Sequence, residues 1–270
     1  MLPDIRVKKN PQRPVTSIKD GNTVPPPVTS QRTAGYLCPG YVKTDHLSQA
    51  SHRNVNSAPS TPKNKPGILT DLPMTIVLAS TSPIRLQLLT AAGLSVTSVA
   101  PRVDETSIRD ALVAEGAHPR DIADALAEMK ARKVAERQLT DLVLGCDQIL
   151  EADGRIFAKP ETPDQARDQL HQLRGKTHKL HSAIVAYENA LPIWRHTAEA
   201  RLTMHQISDD YLDAYIRRNW DSIRHSVGCY KIEEEGIRLF STIEGDYFTI
   251  LGLPLMPLLA WAGTRGMIPR

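Results

Sequence analysis

The chain has 270 residues, 41% of them hydrophobic, which is enough for one large α/β domain or two small ones with a sizeable buried core. No stretch approaches the ~18 consecutive apolar residues of a spanning helix, and the first residues lack the apolar centre of a signal peptide, so no membrane partner is expected and the cytoplasm is the expected address. Three widely spaced cysteines, Cys38, Cys146 and Cys229, form no C-x-x-C pair, which argues against a disulfide framework or zinc knuckle and for spectator thiols.

The net charge of +3 averages two unlike segments. Residues 1–73 carry ten Lys/Arg against four Asp/Glu, and the remainder carries 23 against 26. The first 73 residues also hold eleven of the 20 prolines, including Pro25, Pro26 and Pro27, among polar residues without hydrophobic periodicity. Such a segment cannot bury enough apolar surface to offset its chain entropy and reads as a disordered basic leader. Its charge admits an anionic partner, but no aromatic platform or basic helix accompanies it, so nucleic acid ranks last among partners. A start of translation at Met74 would make the leader an upstream extension.

From Met74 the pattern changes to Thr75-Ile76-Val77-Leu78-Ala79, a strand, followed by the polar turn Ser80-Thr81-Ser82-Pro83 and a helix opening at Ile84-Arg85-Leu86. Pro83 is tolerated in a first helical turn, and the backbone N–H groups of such a junction suit an anion. Many strand-to-helix turns nevertheless cap themselves with serine and bind nothing. Residues 119–138 carry Ile122, Ala125, Leu126, Met129 and Val134 at helical spacing. Leu142 to Leu150 reads as a buried strand interrupted by Asp147. That acid is either a hydrogen-bonded structural aspartate or a metal ligand or general base held on a rigid element.

Asp153-Gly154 marks a turn, and a short strand-like run returns the chain to Lys159-Pro160, near the end of the Asp147 strand. Residues 163–174 form a helix that starts at Pro163 and ends before Gly175. A strand runs from His178 to Val185, and a helix capped by Ser208 or Asp209 includes Leu212 to Arg218. Arg238-Leu239-Phe240 is the last strand, and Gly252-Leu253-Pro254-Leu255 opens a terminal apolar helix. This alternation predicts a three-layer α/β fold. His171, His178 and His181 do not place a matched pair on one helical face, so zinc is not expected, and His178 reads as a structural hydrogen-bonding residue.

The polar residues at element ends are Ser80, Ser82, Arg85, Glu105, Lys130, Asp147, Lys159 and Glu233. Cations of this kind suit a polyphosphate, and carboxylates suit a divalent metal. No Walker-type loop is present, so side chains and helix ends would have to cradle the phosphates.

Residues Leu78-Ala79-Ser80-Thr81-Ser82-Pro83-Ile84-Arg85 resemble the opening signature of the Maf (septum formation inhibitor) family of nucleotide pyrophosphatases. Further blocks agree in order. They are Pro101-Arg102-Val103-Asp104-Glu105, Leu126 to Ala131, Gly145-Cys146-Asp147-Gln148, Lys159-Pro160, Gly175-Lys176-Thr177-His178 and Gly252 to Leu255, spanning essentially all of residues 74–270. The resemblance implies a Maf/ITPase-like fold with a central mixed sheet and a deep cleft between two lobes, and a homodimer. It also implies hydrolysis of a nucleoside triphosphate to the monophosphate and pyrophosphate.

Carried over position by position, Asp147 would be the general base. Glu105 and Asp147 would hold Mg²⁺ or Mn²⁺, while Ser82, Arg85, Lys130 and Lys159 would bind the triphosphate. Ile84, Gln148 and Glu233 stand where the family sets base preference. Gln148 and Glu233 match the branch that resembles 7-methyl-GTP pyrophosphatases, in which an aromatic usually replaces Ile84. The branch that resembles dTTP and UTP hydrolases carries Arg, Thr and Gln at these three positions. Ala158 stands where the family often has Gly, and Cys146 replaces a small residue; neither change removes a charge. Glu233 also reads as a solvated charge beside Glu234 and Glu235. A housecleaning pyrophosphatase acting on modified nucleotides is the leading reading, and a non-catalytic nucleotide-binding regulator of cell division is the competing one.

Overall fold

The computed structural model describes residues 76–139 and 141–268. The leader expected at residues 1–73, the start at Met74 and Cys38 lie outside the described residues.

The elements are β1 (Ile76–Ala79), α1 (Pro83–Ala91), β2 (Val96–Ser98), α2 (Glu105–Ala114), α3 (Pro119–Ala135), β3 (Leu142–Ala152), β4 (Arg155–Phe157), α4 (Pro163–Leu173), β5 (Thr177–Glu188), β6 (Leu191–Met204), α5 (Asp209–Ile223), β7 (Phe240–Glu244), α6 (Tyr247–Ile250) and α7 (Leu255–Thr264). The seven strands form one mixed sheet in the order β2-β1-β3-β5-β6-β7, with β4 beside β3. β1 runs parallel to β2 and β3, and the remaining pairs are antiparallel. Among the described residues no helix is long and apolar enough to cross a membrane.

Strand alternation sorts the core into layers. Val77, Ala79, Val143, Ala183 and Val185 face α3, where Ile122, Leu126, Ala127 and Ala131 meet them. Ile76, Leu78, Leu142, Leu144, Cys146 and Ile184 face the other way, against Leu89 of α1 and Leu255 and Leu258 of α7. Further along that second face, Leu150, Leu180 and Leu202 pack on Ala166, Leu170 and Leu173 of α4 and Leu212, Tyr215 and Ile216 of α5. The result is the expected three-layer α/β arrangement, with two apolar lobes on the second face that part between Cys146 and Leu150.

The same division appears in the hydrogen bonding of β3. One edge is covered by β5 from Val143 to Glu151. On the other edge β1 pairs Leu142 to Gly145 and β4 pairs Leu150 to Ala152, so Cys146 to Ile149 have no strand partner there. The sheet forks at these four residues. Asp147 lies inside the fork.

Several elements differ from the sequence reading. Arg238 and Leu239, expected to begin a strand, end a 3-10 turn that spans Glu235–Leu239, and β7 starts only at Phe240. The turn is tightened by Glu235, which accepts from Arg218 and Asn219 of α5. Helix α2 buries no residue fully and sets only Ile108 and Leu112 against the core beside α3, an apolar stripe too short to stand out in the sequence. The outer half of the fourteen-residue β6 is mostly exposed and contains Pro192, which is compatible with a sheet edge and hides the strand from a propensity reading.

His178, 1% exposed, shares a 2.7 Å hydrogen bond with the Tyr230 hydroxyl, as a structural histidine should. Burial lowers its pKa from 6.5 to about 4. The folded state therefore resists protonation that the unfolded chain accepts, and the stability this neutral ring supports above pH 6.5 is lost as pH falls toward 4. We expect a loss of about 3 kcal/mol over that window. Denaturant titrations at stepped pH check this, with His178→Gln expected to flatten the curve.

Gly145 is the contact point of β3 with α3. A Cβ there would lie 2.1 Å from the Ala127 carbonyl oxygen and 2.6 Å from the Ala131 nitrogen, both backbone atoms that cannot turn aside. Gly145→Ala must push α3 away from the sheet. A destabilisation of about 3 kcal/mol or more is expected by overpacking, read as a lower denaturation midpoint.

Candidate active site

Asp147 is 6% exposed and points toward α3, where Lys130, 5% exposed, places its Nζ 2.6 Å from Oδ1. The same ammonium lies 2.9 Å from Oε2 of Glu105, the first residue of α2, whose side chain is 42% exposed. A buried lysine thus joins two carboxylates from different elements. Helix α3 delivers it because its small residues, Ala127 and Ala131, let the helix lie close on β3. Burial pushes the Asp147 carboxyl above its usual range, against the pull of Lys130 and Arg85. Desolvation outweighs attraction here, as it does for most charges taken out of water.

Arg85 enters the fork from α1. Its Nη1 donates to the Cys146 carbonyl oxygen at 2.9 Å, using an acceptor that β1 and β4 leave unpaired, and reaches Ser80 Oγ at 3.4 Å. Ser80 Oγ also accepts from the Ser82 N–H at 3.2 Å, which shapes the turn before α1. Ser82 is the N-cap of α1, yet its side chain makes no capping hydrogen bond.

Lys159 returns after β4 as expected. Its pKa is lowered, first by loss of hydration, while Glu105 and Asp147 act to raise it and Lys130 and Arg85 to lower it. Although its side chain still reaches solvent, Lys159 feels all four of these charges. Lys130 joins Glu105 and Asp147 directly, Arg85 bonds the carbonyl beside Asp147, and Lys159 lies within electrostatic range of all four, so five segments contribute to one charged region. Cys146 lies in the apolar layer on the far face of β3, where burial raises its thiol to about 11 and keeps it out of thiolate chemistry.

Gln148 follows Asp147 and so faces the opposite side of the sheet. Its Nε2 donates to Ser182 Oγ at 3.0 Å and to the carbonyls of Ile250 at 2.9 Å and Thr249 at 3.2 Å. Ile84 packs against the α4/α5 cluster on that side. Glu234 is bound by Ser222 and Lys231, and Glu235 by Arg218 and Asn219, whereas Glu233 is exposed with a pKa raised chiefly by loss of hydration. The charges that act on Glu233 are Lys231 and Glu234, and it does not join the Asp147 cluster.

Sequence reading overlooked Ser182 and Thr249, both buried and both joined to Gln148. Ser182 Oγ donates to the Thr249 carbonyl at 2.7 Å. The available signal was a lone serine in the apolar run Leu180 to Val185.

The donor chemistry of Glu105 and Asp147 fits a divalent metal. Two hard carboxylates already converge on a single cationic nitrogen, and Mg²⁺ is commonly held by one or two carboxylates with water and phosphate filling the remaining positions.

Lys130→Met leaves Asp147 buried without its partner. We expect it to cost about 3 to 5 kcal/mol of stability. Glu105→Gln should cost less, because that carboxylate is already hydrated. Thermal or chemical denaturation of the two variants side by side checks the ranking.

Comparison with known proteins shows the family to which the chain belongs. The family model described as Maf-like protein matches residues 75–263. A nucleoside triphosphate pyrophosphatase of Ruegeria pomeroyi is 55% identical over 193 residues, 72% of this chain and 97% of that protein. A 7-methyl-GTP pyrophosphatase of Brucella abortus is 44% identical over 185 residues, 68% of this chain and 93% of that protein. A solved HAM1 protein from Coxiella burnetii aligns with a TM-score of 0.35 at 18% identity, over 50% of this chain and 74% of that one. With the family match running from β1 into α7 and containing every residue of the fork, this chain belongs to the Maf-like protein family.

Proposed function

We propose that the protein is an enzyme that hydrolyses the α–β phosphoanhydride of a nucleoside triphosphate, releasing the monophosphate and pyrophosphate. The observation that carries this reading is the buried Asp147 carboxylate, clamped by Lys130 and flanked by Arg85 and Lys159 at an unpaired strand edge. Relatives named nucleoside triphosphate pyrophosphatase, aligned over nearly their whole length, support it.

In this reading Asp147 takes a proton from water. The water oxygen attacks the α-phosphorus, the bridging α–β bond breaks, and its electron pair leaves with pyrophosphate. A carboxyl with a raised pKa is a stronger base than an exposed one, so the burial that costs stability serves proton transfer. Lys130 keeps that carboxylate oriented through Oδ1 and has a third N–H for a phosphate oxygen beyond the two spent on Asp147 and Glu105. Arg85 and Lys159 stabilise charge that grows on the leaving group, and the Ser82 hydroxyl, free of capping duty, is available to a phosphate oxygen. Glu105 and Asp147 would hold Mg²⁺ or Mn²⁺, which neutralises phosphate charge when bound.

The substrate class we infer is a modified purine nucleotide such as 7-methyl-GTP. Gln148 spends its amide N–H groups on Ser182, Thr249 and Ile250, so it has only its oxygen to offer a base. Glu233 is likewise an acceptor when ionised. Two acceptors suit the N1–H and N2–H₂ edge of guanine, and Ile84 supplies apolar contact without an aromatic stack. The Brucella abortus relative named for 7-methyl-GTP supports the same class.

The test is pyrophosphate release with Mg²⁺ or Mn²⁺ from 7-methyl-GTP, GTP, CTP, UTP, dTTP and 5-methyl-UTP. Preference for 7-methyl-GTP is expected, with Asp147→Asn slower by about a hundredfold or more, as for other lost electrostatic groups. Preference for uridine or thymidine nucleotides would keep the chemistry and reject the purine assignment. No release from any nucleotide would favour a binding protein that regulates cell division.

A further inference from the structure

The segment Gly252 to Leu255 has no role in the chemistry above, yet its first residue touches the fork. Gly252 has a φ of +85°, in the left-handed region, and a Cβ built on it would lie 2.9 Å from Nη2 and 3.2 Å from Nε of Arg85. Nη1 of the same guanidinium is bonded to the Cys146 carbonyl. Arg85 is therefore held between strand β3 and the turn after α6. Its buried Nε has no hydrogen-bond partner among the described residues.

That turn is itself tied to the sheet through one atom. The Thr249 carbonyl oxygen accepts from Ser182 Oγ at 2.7 Å, from Gln148 Nε2 at 3.2 Å and from the Gly252 N–H at 3.0 Å. Gln148 adds a bond to the Ile250 carbonyl, and Asp246 accepts from the N–H groups of Phe248 and Thr249 at the start of α6. The turn is fixed from both ends. Glycine is favoured at its last position because the left-handed φ strains any side chain, and a Cβ there would displace the tip of the Arg85 guanidinium.

We propose that Gly252 is a positioning residue for Arg85, and that Ser182 and Gln148 hold it in place through the Thr249 carbonyl. An unrestrained arginine loses much of its rotamer freedom when it grips a ligand. A guanidinium already confined between Cys146 and Gly252 has lost much of that freedom before the ligand arrives, and binds more tightly for it. The inference rests on the reading of Arg85 as a triphosphate ligand, although the confinement of its side chain does not.

Two measurements on the full chain separate these layers. The first is the side-chain Nε–Hε signal of Arg85 by ¹⁵N NMR, assigned by its absence in Arg85→Lys. It should exchange slowly with water in the parent protein and fast in Gly252→Ala. The second is steady-state kinetics with the best nucleotide of the panel. Gly252→Ala should raise KM about tenfold with kcat changed less than twofold, and should add nothing in an Arg85→Lys background. Ser182→Ala, which places no new atom near Arg85, should raise KM in the same direction by a smaller factor and carries the test if Gly252→Ala does not fold. An unchanged Nε–Hε signal, or an equal KM rise in both backgrounds, overturns the proposal. Loss of the signal with KM unchanged overturns the assignment of Arg85 to the substrate, and with it this role for Gly252.

Discussion

The buried contact between Lys130 and Asp147 is the constraint around which the domain is arranged. At 2.6 Å and with both groups about 95% covered, it places two charges where a hydrocarbon pair would be cheaper. It requires α3 to lie directly on β3, which requires Gly145 where any Cβ would strike the helix backbone. It also requires a strand long enough to continue past the end of β1, so that Asp147 meets neither neighbour on that edge. A structure selected only for stability would have no reason to retain such a pair. Its presence beside a raised Asp147 pKa supports the role proposed for Asp147.

The two faces of β3 divide the labour. Asp147 turns to the α3 side with Lys130 and Glu105, and Gln148 turns to the α6 side with Ser182 and Thr249. One residue of strand advance therefore separates the charged cluster from the network that supports the neighbouring turn. Arg85 joins the two by bonding the Cys146 carbonyl between them and lying against Gly252. In the proposed function the phosphates meet the first side and the base meets acceptors from the second.

Much of this was legible in the sequence because the relevant signals were local. Asp147 stood out as an acid in an otherwise apolar strand, Pro83 and Pro163 marked helix starts, and Asp153-Gly154 marked the hairpin that returns Lys159. The convergence of Arg85, Glu105, Lys130 and Lys159 on Asp147 was not legible from spacing, since five segments contribute and only the sheet order joins them. The direction of Gln148 was hidden for a related reason. Alternation says that it opposes Asp147, but its partners Thr249 and Ile250 lie about a hundred residues away. The outer half of β6 is mostly exposed and α2 turns only Ile108 and Leu112 to the core, so neither wrote a strong apolar period.

In the proposed function Asp147 in the fork directs water at the α-phosphorus of a bound triphosphate. Hydrolysis in ¹⁸O-enriched water, followed by mass spectrometry of both products, tests it most directly. One ¹⁸O is expected in the nucleoside monophosphate and none in the pyrophosphate. Label in the pyrophosphate, or release of orthophosphate in its place, would contradict it, because water would then have attacked a phosphorus other than the one assigned to Asp147.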